Sequence, residues 1–196
     1  MTLEETLAQI KPLDKNAMDV AAKRWDSIAK PLHSLGKMEK LVIQIAGITG
    51  NPDIKIQKRA LVAMCADNGV VEEGVTQTGQ EVTAIVAENF LSGDTSACVM
   101  SRQCGTKVIP VDIGMAVDTK VSKELKVAYG TANMTKGPAM TRAQAVQALE
   151  AGIEMVRRLK EEGYGLLATG EMGIGNTTPS SAVASCLLYT SPSPRD

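Results

Sequence analysis

The chain has 196 residues, 44% of them hydrophobic but only 3% aromatic, and a formal net charge of −1. That length suits one α/β domain with a small appended element, and its core must be aliphatic. Near-neutral charge argues against a nucleic-acid binder; one His and four cysteines (Cys65, Cys98, Cys104, Cys186) without a CxxC pair argue against a metal site.

The first residues, MTLEETLAQIKPLDKN, show no basic-then-apolar leader, and no apolar run is long enough to span a bilayer. The expectation is a cytoplasmic protein with reduced cysteines and no membrane partner. Residues 2–10 and 14–29 read as helices broken at Lys11-Pro12. After Pro31 a further helix is expected, capped by Ser34, with Leu35, Met38, Leu41, Val42 and Ile45 on its apolar face. Residues 59–66, RALVAMCA, form the first buried strand, ending at Asp67-Asn68-Gly69. Thr78 and Glu81 make a capping box for a helix over 79–91, with Val82, Ile85, Val86 and Asn89 on one face. A helix of small residues follows over 94–103. A second strand over 106–111 ends at Asp112-Ile113-Gly114, and a short strand is expected at 125–129.

Residues 130–140 lack periodicity and read as a functional loop. Thr141 and Gln144 form another capping box, opening a helix over 142–162 that turns Ala145, Ala148, Leu149, Ile153 and Val156 inward. Then comes YGLLATGEMGIGNTTPSSAVA, residues 164–184. Leu166, Leu167 and Ala168 suit a buried parallel strand. A glycine-rich loop follows, and a helix opens with Thr178 as N-cap and Pro179 as its first residue. Strand, glycine loop and helix N-terminus make an anion cradle. Glu171 inside it suggests chemistry as well as binding; a simple tight strand-to-helix turn is the alternative.

Strands alternating with helices imply a parallel sheet with right-handed crossovers, binding ligands beyond its carboxyl ends. The residue pattern points to a nucleotide or sugar-phosphate enzyme, with other α/β ligands left open. The glycine loop matches neither the Walker nor the GxGxxG pattern.

Four stretches together resemble a known family. They are KPLHSLGKME (30–39), CADNGVVEEGV (65–75), GTANMTKGPAMT (130–141) and GEMGIGNTTPSSA (170–182). In order and spacing they are similar to the nicotinate-nucleotide–dimethylbenzimidazole phosphoribosyltransferases. The resemblance implies transfer of the 5-phosphoribosyl group of nicotinate mononucleotide to a ring nitrogen of 5,6-dimethylbenzimidazole, with inversion at the anomeric carbon and loss of nicotinate. It implies no metal, no cofactor, and a homodimer. The fold implied is a three-layer, Rossmann-like parallel sheet with a small helical element. Such chemistry needs a phosphate cradle, a general base for the benzimidazole, and a carboxylate near the oxocarbenium charge.

By the resemblance, Glu171, Met172, Gly173 and Ile174 lie against the nicotinate and phosphoribosyl group, with Gly173, Gly175 and Asn176 completing the cradle. Thr78 corresponds to a small hydroxyl residue of the base pocket, or is a helix cap. Asp67, Asn68 and Asp112 are substrate contacts or turn residues; relatives often have Asp-His at 67–68. The family's catalytic glutamate lies in a C-terminal half that this chain is not expected to hold, so no catalytic residue is named. Val86 stands where close relatives have a Gln that faces the base, so the resemblance leaves the preferred acceptor base open. Leu32-His33 replaces Pro-Gly, and His33 reads as a solvent-exposed residue.

The expected divisions are a helical element (1–50), a partial phosphoribosyltransferase domain (51–185) and a tail (186–196). The tail, CLLYTSPSPRD, resembles the conceptual translation of a transposase sequencing adapter, and the expectation is that it is an artefact and that the α/β part is incomplete. Two other readings remain: an α/β nucleotide or sugar-phosphate hydrolase using Glu171, and a non-catalytic ligand-binding module.

Overall fold

A computed structural model describes residues 1–188. The chain divides into two compact units, residues 4–57 and residues 1–3 together with those from 58 onward.

The smaller unit holds α1 (Leu3–Ala8) in most of its length, α2 (Lys15–Ser27) and α3 (Lys37–Thr49). Asp14 caps α2 by accepting the Ala17 N–H at 3.0 Å. Ala17 and Ala21 of α2 pack on Ala46 of α3, beside Ile43 and Ile54. The expected stripe on α3 is therefore turned: Leu35, Met38 and Leu41 are exposed, whereas Glu39, Ala46 and Gly47 are buried. Close approach selects the small residues, since a Cβ at Gly47 would lie 2.7 Å from Met18 Cγ. Ser34 does not cap α3. Tight turns fill residues 31–36 instead, with His33 at φ 58° and Gly36 at φ 54°. The Glu39 carboxylate, lying 2.8 Å from Lys30 Nζ, reaches back to accept the Leu35 N–H at 3.1 Å.

The larger unit is built on β1 (Arg59–Ala66), β2 (Thr106–Gly114) and β3 (Leu166–Met172), all parallel, in the order β2-β1-β3. β1 is central and nearly continuously apolar, as strands covered on both faces are. Its Val62 meets Val111 and, from α6 (Arg142–Glu161), Met155 and Leu159. Its Cys65 turns to the other face, with Ala87 and Phe90 of α4 (Glu81–Ser92) and Met172 of β3. The result is three layers. α5 (Ser96–Gln103) follows α4 and is capped by Thr95, which accepts the Cys98 N–H. Pro110 sits in β2, an edge strand among the described residues, where a residue lacking an N–H is tolerated.

Several expectations need correction. β3 is not buried: among the described residues no strand pairs on its outer side, and Leu166 and Ala168 are exposed. The Thr78–Glu81 capping box does not form; α4 starts at Glu81 after Gln80, and the Thr78 carbonyl accepts from the Thr76 hydroxyl. α4 faces the sheet with Thr83 and Ala87, while Ile85 and Asn89 are exposed, because small residues allow the closer approach. No strand forms at 125–129; Val127 and Gly130 donate to the carbonyls of Ile113 and Gly114 without continuing a ladder. The Thr141–Gln144 box does form, but α6 buries Ala151, Met155 and Leu159 and leaves Leu149 and Val156 exposed. The last helix, α7 (Thr177–Leu188), starts before Thr178, with the Asn176 carbonyl accepting the Ser180 N–H. Pro179 still lies in the first turn, where its missing N–H costs nothing. Cys186, Leu187 and Leu188 continue α7; the rest of the expected tail lies outside the described residues.

Candidate functional site

The chain runs from β1 to β2 on one side and then returns past β1 to β3. Between β1 and β3 the direction of winding reverses, and the carboxyl ends of strands at such a switch point form a crevice. The segments leaving those two ends are Asp67-Asn68-Gly69 and Gly173-Ile174-Gly175-Asn176, which the sequence singles out.

These segments touch closely. A Cβ at Gly173 would lie 2.2 Å from the Ala66 carbonyl oxygen and 2.9 Å from Asn68 Nδ2, so only glycine fits. Gly175 has φ 79°, and a Cβ there would meet Val71 Cγ2 at 2.8 Å. The Ile174 N–H donates to Thr83 Oγ1 at 3.0 Å, and the Ile174 carbonyl accepts from Asn68 Nδ2 at 3.2 Å. The Asn176 N–H closes the loop on the Gly173 carbonyl. The N–H groups of Gly173 and Gly175 have no acceptor among the described residues. They are the donors left for an anion.

Asn68 also accepts, on its carbonyl, a hydrogen bond from Gln80 Nε2 at 3.0 Å, tying the stretch that contains Thr78 to the same point. Thr78 itself is exposed. Asp67 is buried and joins three segments. Its N–H donates to Gly114, its carbonyl accepts from Thr131, and its Oδ2 accepts the Ala116 N–H at 2.7 Å. Its Oδ1 has no protein partner. Asp112 is fully buried: Oδ1 accepts the N–H groups of Gly114 and Met115, and Oδ2 lies 3.1 Å from Lys126 Nζ. Both carboxylate oxygens are thus engaged in holding the 112–126 turn.

Glu171 and Met172 point oppositely, as strand neighbours do. Met172 joins the core with Cys65 and Ala87, whereas Glu171 is exposed. With Asn68 and Asn176, Glu171 forms the polar end of an open cleft of about 540 Å³; Val183, Leu187 and Leu188 of α7 form its apolar end. Cys65 contributes no nucleophile, because burial above all raises its thiol to about 11.

Three contributors escaped the sequence reading: Thr83, Gln80 and Asn133. Thr83 stands in a helix, indistinguishable from any β-branched core residue. Asn133 lies in a stretch already marked as functional. It is buried, donates to Glu73 at 2.7 Å, and accepts from the Thr135 N–H, fastening that loop to the 3-10 turn Gly69–Glu73. Lys136 pairs with Glu72 at 2.7 Å and, as the main cause, holds its carboxyl below the ordinary value. Among the described residues no group of three or more His, Cys, Asp or Glu could hold a metal ion, and no helix is long and apolar enough to cross a membrane.

A family model described as "Phosphoribosyltransferase" matches residues 10–194. The nicotinate-nucleotide–dimethylbenzimidazole phosphoribosyltransferase of Clostridium tetani is 51% identical over 187 residues, covering 94% of this chain and 52% of the relative. That of Ruminiclostridium cellulolyticum is 50% identical over 190 residues, 96% of this chain and 54% of the relative. A crystal structure of the enzyme of that name from Thermus thermophilus superposes with a TM-score of 0.83 at 38% identity, covering 90% of this chain and 55% of that one. The chain spans about half the length of the relatives it matches. With the three-layer parallel sheet and the glycine loop at its switch point, these matches place the chain in the nicotinate-nucleotide–dimethylbenzimidazole phosphoribosyltransferase family.

Proposed function

We propose that this chain carries the nicotinate mononucleotide side of a site that transfers the 5-phosphoribosyl group to 5,6-dimethylbenzimidazole, giving α-ribazole 5′-phosphate and nicotinate. The observation that carries this reading is the glycine loop fastened at the switch point with two free N–H donors. The phosphate would take the Gly173 and Gly175 amides, and Glu171, Ile174 and Asn176 would border the sugar and leaving group. Glu171 at the open rim suits charge stabilisation as the glycosidic bond breaks. Met172 supports the loop from beneath. Thr78 belongs to the acceptor side, carried there by the Gln80–Asn68 bond, and Asp67 brings its free Oδ1. The base that takes the benzimidazole proton is assigned outside residues 1–188, and no metal or cofactor takes part. A homodimer is the expected assembly, checked by light scattering.

The test is nicotinate release from nicotinate mononucleotide with and without dimethylbenzimidazole. The 196-residue chain is expected to bind the nucleotide without turnover. Extended to its relatives' full length, it is expected to release nicotinate only when the acceptor is present. Release without acceptor points instead to a hydrolase, and binding without turnover in the extended chain to a ligand-binding module.

A further inference from the structure

We infer that Thr83 and Asn68 act together as positioning residues, holding the two peptide groups on either side of Ile174 so that the Gly175 N–H faces the ligand. The inference rests on the phosphate reading just given and deepens it.

The geometry follows from peptide planarity. The Ile174 carbonyl and the Gly175 N–H belong to one trans peptide and point in opposite directions. Asn68 Nδ2 holds that carbonyl at 3.2 Å, which turns the Gly175 N–H away from the β1 terminus. The preceding peptide is held through the Ile174 N–H, which donates to Thr83 Oγ1 at 3.0 Å. Thr83 is fully buried on α4, and its own N–H is tied to the Gln80 carbonyl at 2.9 Å. The two partners stand 91 and 106 residues from Ile174 in sequence, so neither is a local turn bond. Gly175 at φ 79° has the backbone freedom to reach more than one orientation. Without both partners the amide would have to be oriented at the moment of binding, which weakens affinity. The Ile174 amide is spent on Thr83 and is not a ligand donor. Of three successive N–H groups, the outer two remain for the anion.

The experiment uses the 15N-labelled 196-residue chain, with nicotinate mononucleotide and ribose 5-phosphate as probes. Both probes are expected to shift the Gly173 and Gly175 amide resonances more than that of Ile174, and Ile174 is expected to be protected from hydrogen exchange even without ligand. Thr83→Val removes the acceptor at nearly constant volume. It should speed exchange at Ile174 and weaken binding about tenfold, whereas Thr83→Ser should retain both properties. Asn68→Ala should weaken binding to a similar extent, and Asn68→His should restore it. Wild-type affinity in a folded Thr83→Val or Asn68→Ala chain overturns the inference, as does rapid Ile174 exchange in the wild type. If Thr83→Val does not fold, Asn68→Ala and the wild-type exchange rates decide. Failure of the wild-type chain to bind either probe sinks the phosphate reading, while Ile174 protection separately decides the clamp.

Discussion

His33 is an L-residue at φ 58°, in a turn where the family resemblance expects glycine. Left-handed backbone strains a residue with a Cβ, whereas glycine loses only extra unfolded-state entropy. His33→Gly is expected to raise stability by about 0.5–1 kcal/mol, read from urea unfolding. Its neighbour Glu39 gives this unit a pH dependence. The hydrogen bond from Lys30 above all, then that from the Leu35 N–H, holds the folded carboxyl below its ordinary 4.5. Stability from this group is fully present above pH 4.5 and is lost as pH falls through the lowered folded value. Unfolding midpoints between about pH 7 and 3 should show this loss, and Lys30→Met should flatten it. Thiol chemistry gives a third check at this scale. Cys104 and Cys186 are exposed, while Cys65 and Cys98 are buried. Two of the four thiols should react rapidly with a water-soluble disulfide reagent, and the other two only on unfolding.

At the scale of elements, the loop after β3 depends on two glycines for different reasons. Gly173 lies against backbone, which does not yield, whereas Gly175 meets a valine methyl and needs its positive φ. Gly173→Ala is expected to cost roughly 1–3 kcal/mol and to abolish nucleotide binding. Gly175→Ala should fold more readily yet bind weakly; calorimetric titration distinguishes the two. The existence and kind of these elements were legible beforehand, because alternation of apolar runs with helical spacing depends on local sequence. β1 and the Thr141–Gln144 cap fell where expected. Faces were less legible. Met38, Leu41 and Ile48 of α3, Ile85 of α4 and Leu149 and Val156 of α6 look outward, because many of the closest approaches are made by Ala46, Gly47, Thr83, Ala87 and Ala151. Phe90, Met155 and Leu159 are the large residues turned inward. Hydrophobic size marks a stripe, but closeness of packing selects small residues, and sequence alone does not say which rule governs. The site divides likewise. Its glycines announced themselves by spacing, while Thr83 became visible only through a partner 91 residues away.

The whole molecule leaves much apolar surface in water. Val183, Leu187 and Leu188 on α7 and Leu166 on β3 are all exposed. A strand whose outer side has no partner among the described residues, flanked by such side chains, invites another strand or a second molecule. The 196-residue chain is expected to self-associate at micromolar concentration in sedimentation experiments. Leu166→Lys should reduce that association without altering unfolding cooperativity, since it puts charge on the open edge and removes little from the core.

The two flanks of the sheet are nonetheless unequal. Beside β2 the end of the strand is already occupied, since Val127 and Gly130 donate to the Ile113 and Gly114 carbonyls, whereas no strand among the described residues pairs on the outer side of β3. Growth of the sheet is therefore favoured on the β3 side. A tethered strand should zip on beside β3 and not beside β2, and a peptide scan along both margins would reveal that polarity.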